Sequence, residues 1–247
     1  QFGTMGKPFH AGMAASNGIE AAKLSKLGFV SKEDGIECEQ GFFLTHGWDK
    51  KIPPRAIENL GTDFLFPEIK YKFHACCHGL HSFLEALDEM KLENNFNPET
   101  IEEIAIETNP SWLKVCNIEE PKTGLESKFS YKLTAAMSIY GKDTSNLDTY
   151  SDEICFDDNL NNIRDKVRVI PNDNLSNTQS LISIKDGSSN VKNKHDLSDK
   201  IENNILETKI VNKSVSLLSE TKSNQISKIL NAPNENKVDA LVDCLVS

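Results

Sequence analysis

Lys70-Tyr71-Lys72-Phe73-His74-Ala75-Cys76-Cys77-His78-Gly79-Leu80-His81 places two lysines, three histidines and two cysteines in twelve consecutive positions. Apolar residues at helical spacing follow at once, at Phe83, Leu84, Leu87 and Met90, and the spacing predicts a helix over 82–92. Chemistry-bearing side chains therefore sit immediately ahead of a rigid element, which is where a site can be held in place. Three readings compete for this stretch. It is a loop with incidental histidines, or a metal site, or an acid/base site for a carboxylated substrate. His74, His78 and His81 are spaced i, i+4, i+7, so on a helix they would share a face and could bind zinc with Cys76 or Cys77 nearby. No second ligand cluster completes such a site. Lysine holds carboxylate and imidazole moves protons near neutral pH, which favours the third reading.

Outward from this centre, Ile104, Ile106 and Thr108 alternate with Glu103 and Glu107, the pattern of a half-buried strand, and Asn109-Pro110 ends it. A second helix is expected from Leu125 to Tyr140, with Phe129, Leu133, Ala136, Met137 and Tyr140 as its apolar stripe. Tyr131 lies off that stripe and reads as a rim residue, while Lys128 and Lys132 make the helix start locally basic. Val167 and Val169 mark a second strand. Leu181–Ile184 marks a third, followed by the turn pair Asp186-Gly187. The Asn-, Lys- and Ser-rich run from 190 to 204 reads as an exposed loop or linker. The tail is helical again, with a clean stripe at Val238, Leu241, Val242 and Leu245.

Toward the N-terminus, Ala14, Ala15, Gly18, Ala21 and Ala22 recur at helical spacing and predict a closely packed, buried helix ending near Gly28. Lys7 and His10 fall at its start. They are either an ordinary polar first turn or anion contacts beside unpaired backbone N–H groups. A short helix is expected within 31–41, His46 reads as a surface residue, and His46 to Pro54 as a loop.

The 247 residues suffice for one large or two modest domains, and the net charge of −10 argues against general nucleic-acid binding. An anionic substrate would be drawn by a local lysine cluster against the global field. Six cysteines without paired spacing suggest a reducing, cytoplasmic setting. No apolar run reaches the roughly 20 residues of a membrane span. The order of elements is helical, then mixed, then helical: an α+β chain with helical segments at 1–66 and 201–247 flanking an α/β domain at 67–200, whose small sheet is mostly antiparallel. Gly3-Thr4-Met5-Gly6 reads like the middle of a longer chain.

Four stretches together resemble the MmgE/PrpD family of 2-methylcitrate dehydratases, cis-aconitate decarboxylases and related epimerases. Gly3-Thr-Met-Gly-Lys-Pro-Phe-His-Ala-Gly-Met-Ala-Ala15 is similar to that family's Lys-Pro-x-His-x-Gly helix start. Lys72-Phe-His-Ala-Cys-Cys-His-Gly-Leu-His81 is similar to its Lys-x-His-Ala-x-Cys-x-x-x-His segment, and Glu126-Ser-Lys-Phe-Ser-Tyr131 to its Ala-Lys-Phe-Ser helix start. The ending, from Lys213 through Leu245, resembles its closing helices. The resemblance implies a helical domain with an inserted α/β lid, a site between them, a small polycarboxylate substrate and a homodimer in the cytoplasm. It implies no cofactor and no metal. It further implies that Lys72, His74, His81 and Tyr131 are catalytic, that Lys7 and His10 contact substrate, and that either His74 or His81 moves the proton. The expected activity is that of a lyase, a 2-methylcitrate dehydratase of propionate catabolism, with decarboxylase or epimerase as alternatives. Family members are about twice this length, so the chain is expected to correspond to a C-terminal half. The rival readings are an inactive lid or dimerisation module and a zinc domain.

Overall fold

The computed structural model describes residues 2–47, 59–66, 69–233 and 237–246. The chain divides into two units, one formed by 6–69 and the other by 70–247 together with the first five residues.

In the larger unit, β1 (Ile101–Thr108), β2 (Val167–Pro171), β3 (Gln179–Asp186) and β4 (Ser189–Asp196) form a four-stranded sheet in the order β2-β1-β3-β4. β1 runs parallel to β2 and antiparallel to β3, and β3 runs antiparallel to β4, so the α+β expectation with a mostly antiparallel sheet holds. The alternation in β1 sets its register. Ile104, Ile106 and Thr108 are buried and lie opposite Ile184, Ile182 and Ser180 of β3. α3 (His81–Glu93) covers the sheet with Phe83, Leu84, Leu87 and Met90, all buried. The crossover from β1 to β2 carries α4 (Pro110–Cys116), α5 (Gly124–Ser127), α6 (Tyr131–Ile139) and α7 (Asp158–Arg164). Pro110 stands in the first turn of α4, where its missing N–H costs nothing, and Asn109 caps that turn through Ser111 N.

Three local expectations need correction. The helix expected over 125–140 is two helices. Ser130 is extended, accepts from Leu133 N as the cap of α6, and bridges Asn117, while Phe129 O accepts from Ile118 N. Tyr131 is therefore not a rim residue but the fully buried first residue of α6. The polar run at 190–204 is not a loop at its start. Ser189–Asp196 is the edge strand β4, whose Val191, Asn193 and His195 are part-buried while Lys192 and Lys194 are exposed, as suits an edge. α8 (Asn203–Leu218), α9 (Glu220–Asn231) and α10 (Lys237–Val246) complete this unit.

In the smaller unit, α1 (Gly6–Lys26) forms as the small-residue pattern requires, and Gly28 ends it at φ 84°. Gly28 N bonds Ser25 O and Phe29 N bonds Leu24 O, the paired bonds that a left-handed glycine permits. The expected burial is not found: α1 has no buried residue among those described. The expected helix within 31–41 is a series of turns around Gly35 and Gly41, followed by the short helix α2 (Phe42–Thr45). His46 is exposed as expected, and Trp48 to Pro54 lies outside the described residues.

Candidate functional site

The segment 70–77, without helix or strand and bent at 74–76, forms a strap at the start of this part of the larger unit. Ala75 N donates to Thr144 O at 2.8 Å, and Cys77 N donates to Lys128 O at 2.9 Å, a carbonyl left free by the break between α5 and α6. A single 3-10 turn, His78–Leu80, then leads into α3. This path keeps Lys70 and Lys72 exposed and drives His74 and His81 inside, where they are 5 % and 0 % exposed.

The two imidazoles lie edge to face with centroids 5.2 Å apart. His81 Nδ1 donates to Cys77 O at 3.1 Å and Nε2 accepts from His74 N–H at 3.3 Å. That pattern fixes one neutral tautomer. Burial, helped by the neighbouring His74, holds its pKa down at about 3. His74 meets Thr144 Oγ1 through Nδ1 at 2.7 Å and Glu85 Oε1 through Nε2 at 3.2 Å. Glu85 is itself buried and also pairs with Lys209 Nζ of α8. Burial alone would raise the Glu85 carboxyl, but the bonds from His74 and Lys209 outweigh it and hold the group near 2. Thr144, His74, Glu85 and Lys209 thus form one continuous polar chain beneath the surface.

Tyr131 donates to Gly79 O at 2.7 Å, takes a second bond with Thr108 Oγ1 at 3.1 Å, and packs on Phe83 at 5.3 Å between centroids. Burial pushes its phenol well above the ordinary value. Its position fixes the turn that delivers His81. Gly79 is needed there, since a Cβ would fall 2.5 Å from the Trp112 ring. Burial likewise pushes the Cys76 thiol up to about 12, so it stays a thiol. Cys38, Cys76, Cys116 and Cys155 carry free thiols.

His78 is half-buried, and burial followed by Lys72 and Lys70 lowers its pKa. Its ring stands 5.5 Å from that of His81, but the nitrogens of His74 and His81 are turned to Thr144, Glu85, Cys77 and the backbone. Among the described residues no group of three or more His, Cys, Asp or Glu converges as a metal site, so the zinc reading of His74, His78 and His81 has no donor set. Lys72, His74, His81 and Tyr131 thus share the larger unit. Lys7 and His10 lie in the exposed first turns of α1, in the smaller unit. Sequence reasoning missed Thr144, Glu85 and Lys209. Only Glu85 left a signal, as an acid within the apolar run Phe83-Leu84-Glu85-Ala86-Leu87.

Residues 74–232, more than half of the chain, match the model of the MmgE/PrpD C-terminal domain. The chain belongs to the MmgE/PrpD family. It is also 31% identical over 102 residues to a cis-aconitate decarboxylase-like protein, oryM, of Aspergillus oryzae. That match takes in 39% of this chain and 21% of the relative, so the chain spans only a minor part of that MmgE/PrpD protein's length. Among the described residues no helix of this family member is long and apolar enough to cross a membrane.

Proposed function

We propose that this chain forms part of a lyase acting on a small di- or tricarboxylate, with dehydration of a 2-methylcitrate-like substrate as the leading reaction. The observation that carries the reading is the His74–His81 pair two residues beyond exposed Lys72, in a chain of a family that includes a cis-aconitate decarboxylase-like protein. Lys72 holds a substrate carboxylate and offsets the charge of the enolate-like state. His81 takes the proton from the carbon next to that carboxylate. Burial keeps it neutral and Cys77 O leaves Nε2 as the basic atom. The carbon–hydrogen electron pair becomes the new double bond, the bond from the adjacent carbon to its hydroxyl breaks, and that oxygen leaves as water with the proton that His81 took up. His74, supported by Glu85, is the alternative proton carrier. Tyr131 positions His81 through the Gly79 turn, and a proton from its hydroxyl requires that bond to open. Lys7 and His10 stand as further carboxylate contacts on the family resemblance alone. Both imidazoles are buried, so substrate reaches them only when the packing around them opens. A homodimer in the cytoplasm, without cofactor, completes the proposal. Decarboxylation or epimerisation would use the same lysine and histidine pair.

A second reading has its own support. All four imidazole nitrogens of His74 and His81 already have partners, as in core histidines of a lid or docking module without turnover.

The experiment is exchange and turnover in D2O, followed by NMR, with 2-methylcitrate, citrate, cis-aconitate and iminodisuccinate as substrates. Wild type and Lys72→Ala run side by side. In an active protein, Lys72→Ala is expected to lose at least about 2 kcal/mol of transition-state stabilisation in kcat/KM. A folded wild type that leaves every acid unchanged overturns the enzymatic reading. Unchanged kcat/KM in Lys72→Ala removes Lys72 from it.

A further inference from the structure

Two lysines, Lys128 and Lys213, reach one loop, residues 143–150, and a third, Lys72, lies on the strap fastened to it. Lys213, on α8, donates to Ser145 O at 2.6 Å. Lys128, in the break before α6, stands over the Tyr150 ring at 5.6 Å from its centroid. Lys72 lies on the strap that Ala75 N fastens to Thr144 O at 2.8 Å. The loop is closed on itself by Tyr150 OH, which donates to Thr144 O at 3.0 Å. Lys213 and Lys128 contact this loop through their side chains, and Lys72 stands three residues ahead of the strap's anchor on it.

Among the described residues, none of the three lysines forms an ion pair with a carboxylate. The nearby acid, Asp143, spends Oδ1 on Ser145 N and Oγ, at 2.9 and 2.6 Å. Burial holds Lys213 below its ordinary pKa. Cys76 and Asp143 oppose that, and Lys72 and Lys128 add to it, so the ammonium groups feel one another. Like charges held together cost energy unless an anion joins them. Each ammonium is a compact charge on a flexible stem, suited to meeting separate carboxylates of one ligand.

We infer that Lys72, Lys128 and Lys213 form a single polyanion-binding site that takes a di- or tricarboxylate. The ligand class rests on the proposed function, whereas the site itself rests on the lysine geometry. It makes α8 a contributor to ligand binding and not only a closing helix.

The test measures binding of citrate and of acetate to the full chain by titration calorimetry. It compares wild type, Lys128→Gln, Lys213→Gln and Lys213→Arg, with Lys192→Gln on the exposed edge of β4 as control. Losing one charged contact is expected to weaken citrate binding about tenfold in each Gln variant. Acetate, which needs one lysine, should change little, Lys213→Arg should restore citrate binding, and Lys192→Gln should match wild type. Citrate binding that is unchanged in both Gln variants overturns the inference. So does an equal loss for citrate and acetate, which marks a structural defect, and so does a wild type that binds no citrate. Should Lys213→Gln fail to fold, Lys128→Gln carries the test by itself. Turnover is scored separately. Lysine-dependent citrate binding without turnover of any acid keeps this site and removes the enzymatic reading. Turnover with binding unaffected by Lys128 and Lys213 does the reverse.

Discussion

His74 Nδ1 lies 2.7 Å from Thr144 Oγ1, a bond between residues 70 apart in the chain. It ties the strap to the loop after α6. The same loop residue accepts from Ala75 N and Tyr150 OH through its backbone oxygen. Thr144 therefore secures both the orientation of the imidazole and the path of the strap. Thr144→Val keeps the shape but leaves a buried ring nitrogen without its partner. The expected loss is about 1–3 kcal/mol in urea denaturation. A loss below about 0.5 kcal/mol would mean that the bond contributes nothing net.

Glu85 gives a pH signature. Its folded pKa, about 2, lies below the ordinary 4.5, so its stabilisation is complete above about pH 4.5 and disappears as pH falls toward 2. The full effect is on the order of 3 kcal/mol. Glu85→Gln should flatten the stability profile between pH 4.5 and 2 relative to wild type. Equal profiles for the two proteins would show that the carboxylate is not the titrating group.

The second pH signature belongs to His81, with the same sign at higher pH. Its folded pKa of about 3 lies below the ordinary 6.5, so the unfolded chain takes up a proton first as pH falls. Stability is thus full above about pH 6.5 and declines toward pH 3. Between pH 7 and pH 5 the His81 contribution is about 2 kcal/mol. Denaturation of wild type and His81→Gln at both values should show that difference in slope. A matching slope would place a charged imidazole in the fold.

Gly79→Ala probes the turn ahead of α3. The added methyl would meet the Trp112 ring at 2.5 Å and Cys116 Sγ at 2.9 Å. Trp112 is held by its Nε1–H bond to Asn177 O at 2.8 Å and cannot swing away without losing it. A cost of about 1–3 kcal/mol is expected, with a change in the Trp112 fluorescence. A variant as stable as wild type, with unchanged emission, would show that this corner has room.

Tyr131→Phe separates packing from hydrogen bonding at the base of α6. The ring keeps its contact with Phe83, while Gly79 O and Thr108 lose a partner in a fully buried place. A loss of about 1–2 kcal/mol in thermal or urea unfolding is expected. No loss would leave the phenol without a structural part.

Much of the fold was legible because local patterns write it. The alternation in 101–108 and the apolar spacing from Phe83 to Met90 specify β1 and α3 without reference to the rest of the chain. Gly28 is an end signal of the same local kind, whereas Ser130, the cap of α6, is hidden in the sequence by the apolar stripe that continues past it. β4 was not legible. Its sequence is polar, and its strand state comes from pairing with β3 and from Asn193 and His195 reaching Glu89 of α3 at 2.8 Å. Backbone pairing of an edge strand depends on its neighbour more than on its own composition.

By itself the sequence determined the helices and strands with strong periodicity, the α+β class, and the crowding of lysine, histidine and cysteine ahead of α3. Its motifs also carried the family. Only the tertiary structure decided what those residues face. It put Glu85 and Thr144 on His74, buried Tyr131 beneath Gly79, gave α1 no buried residue, and brought Lys128 and Lys213 to one loop. Periodicity is a property of neighbours a few residues apart, whereas a buried charge is settled by partners dozens of residues away, which desolvation obliges it to find.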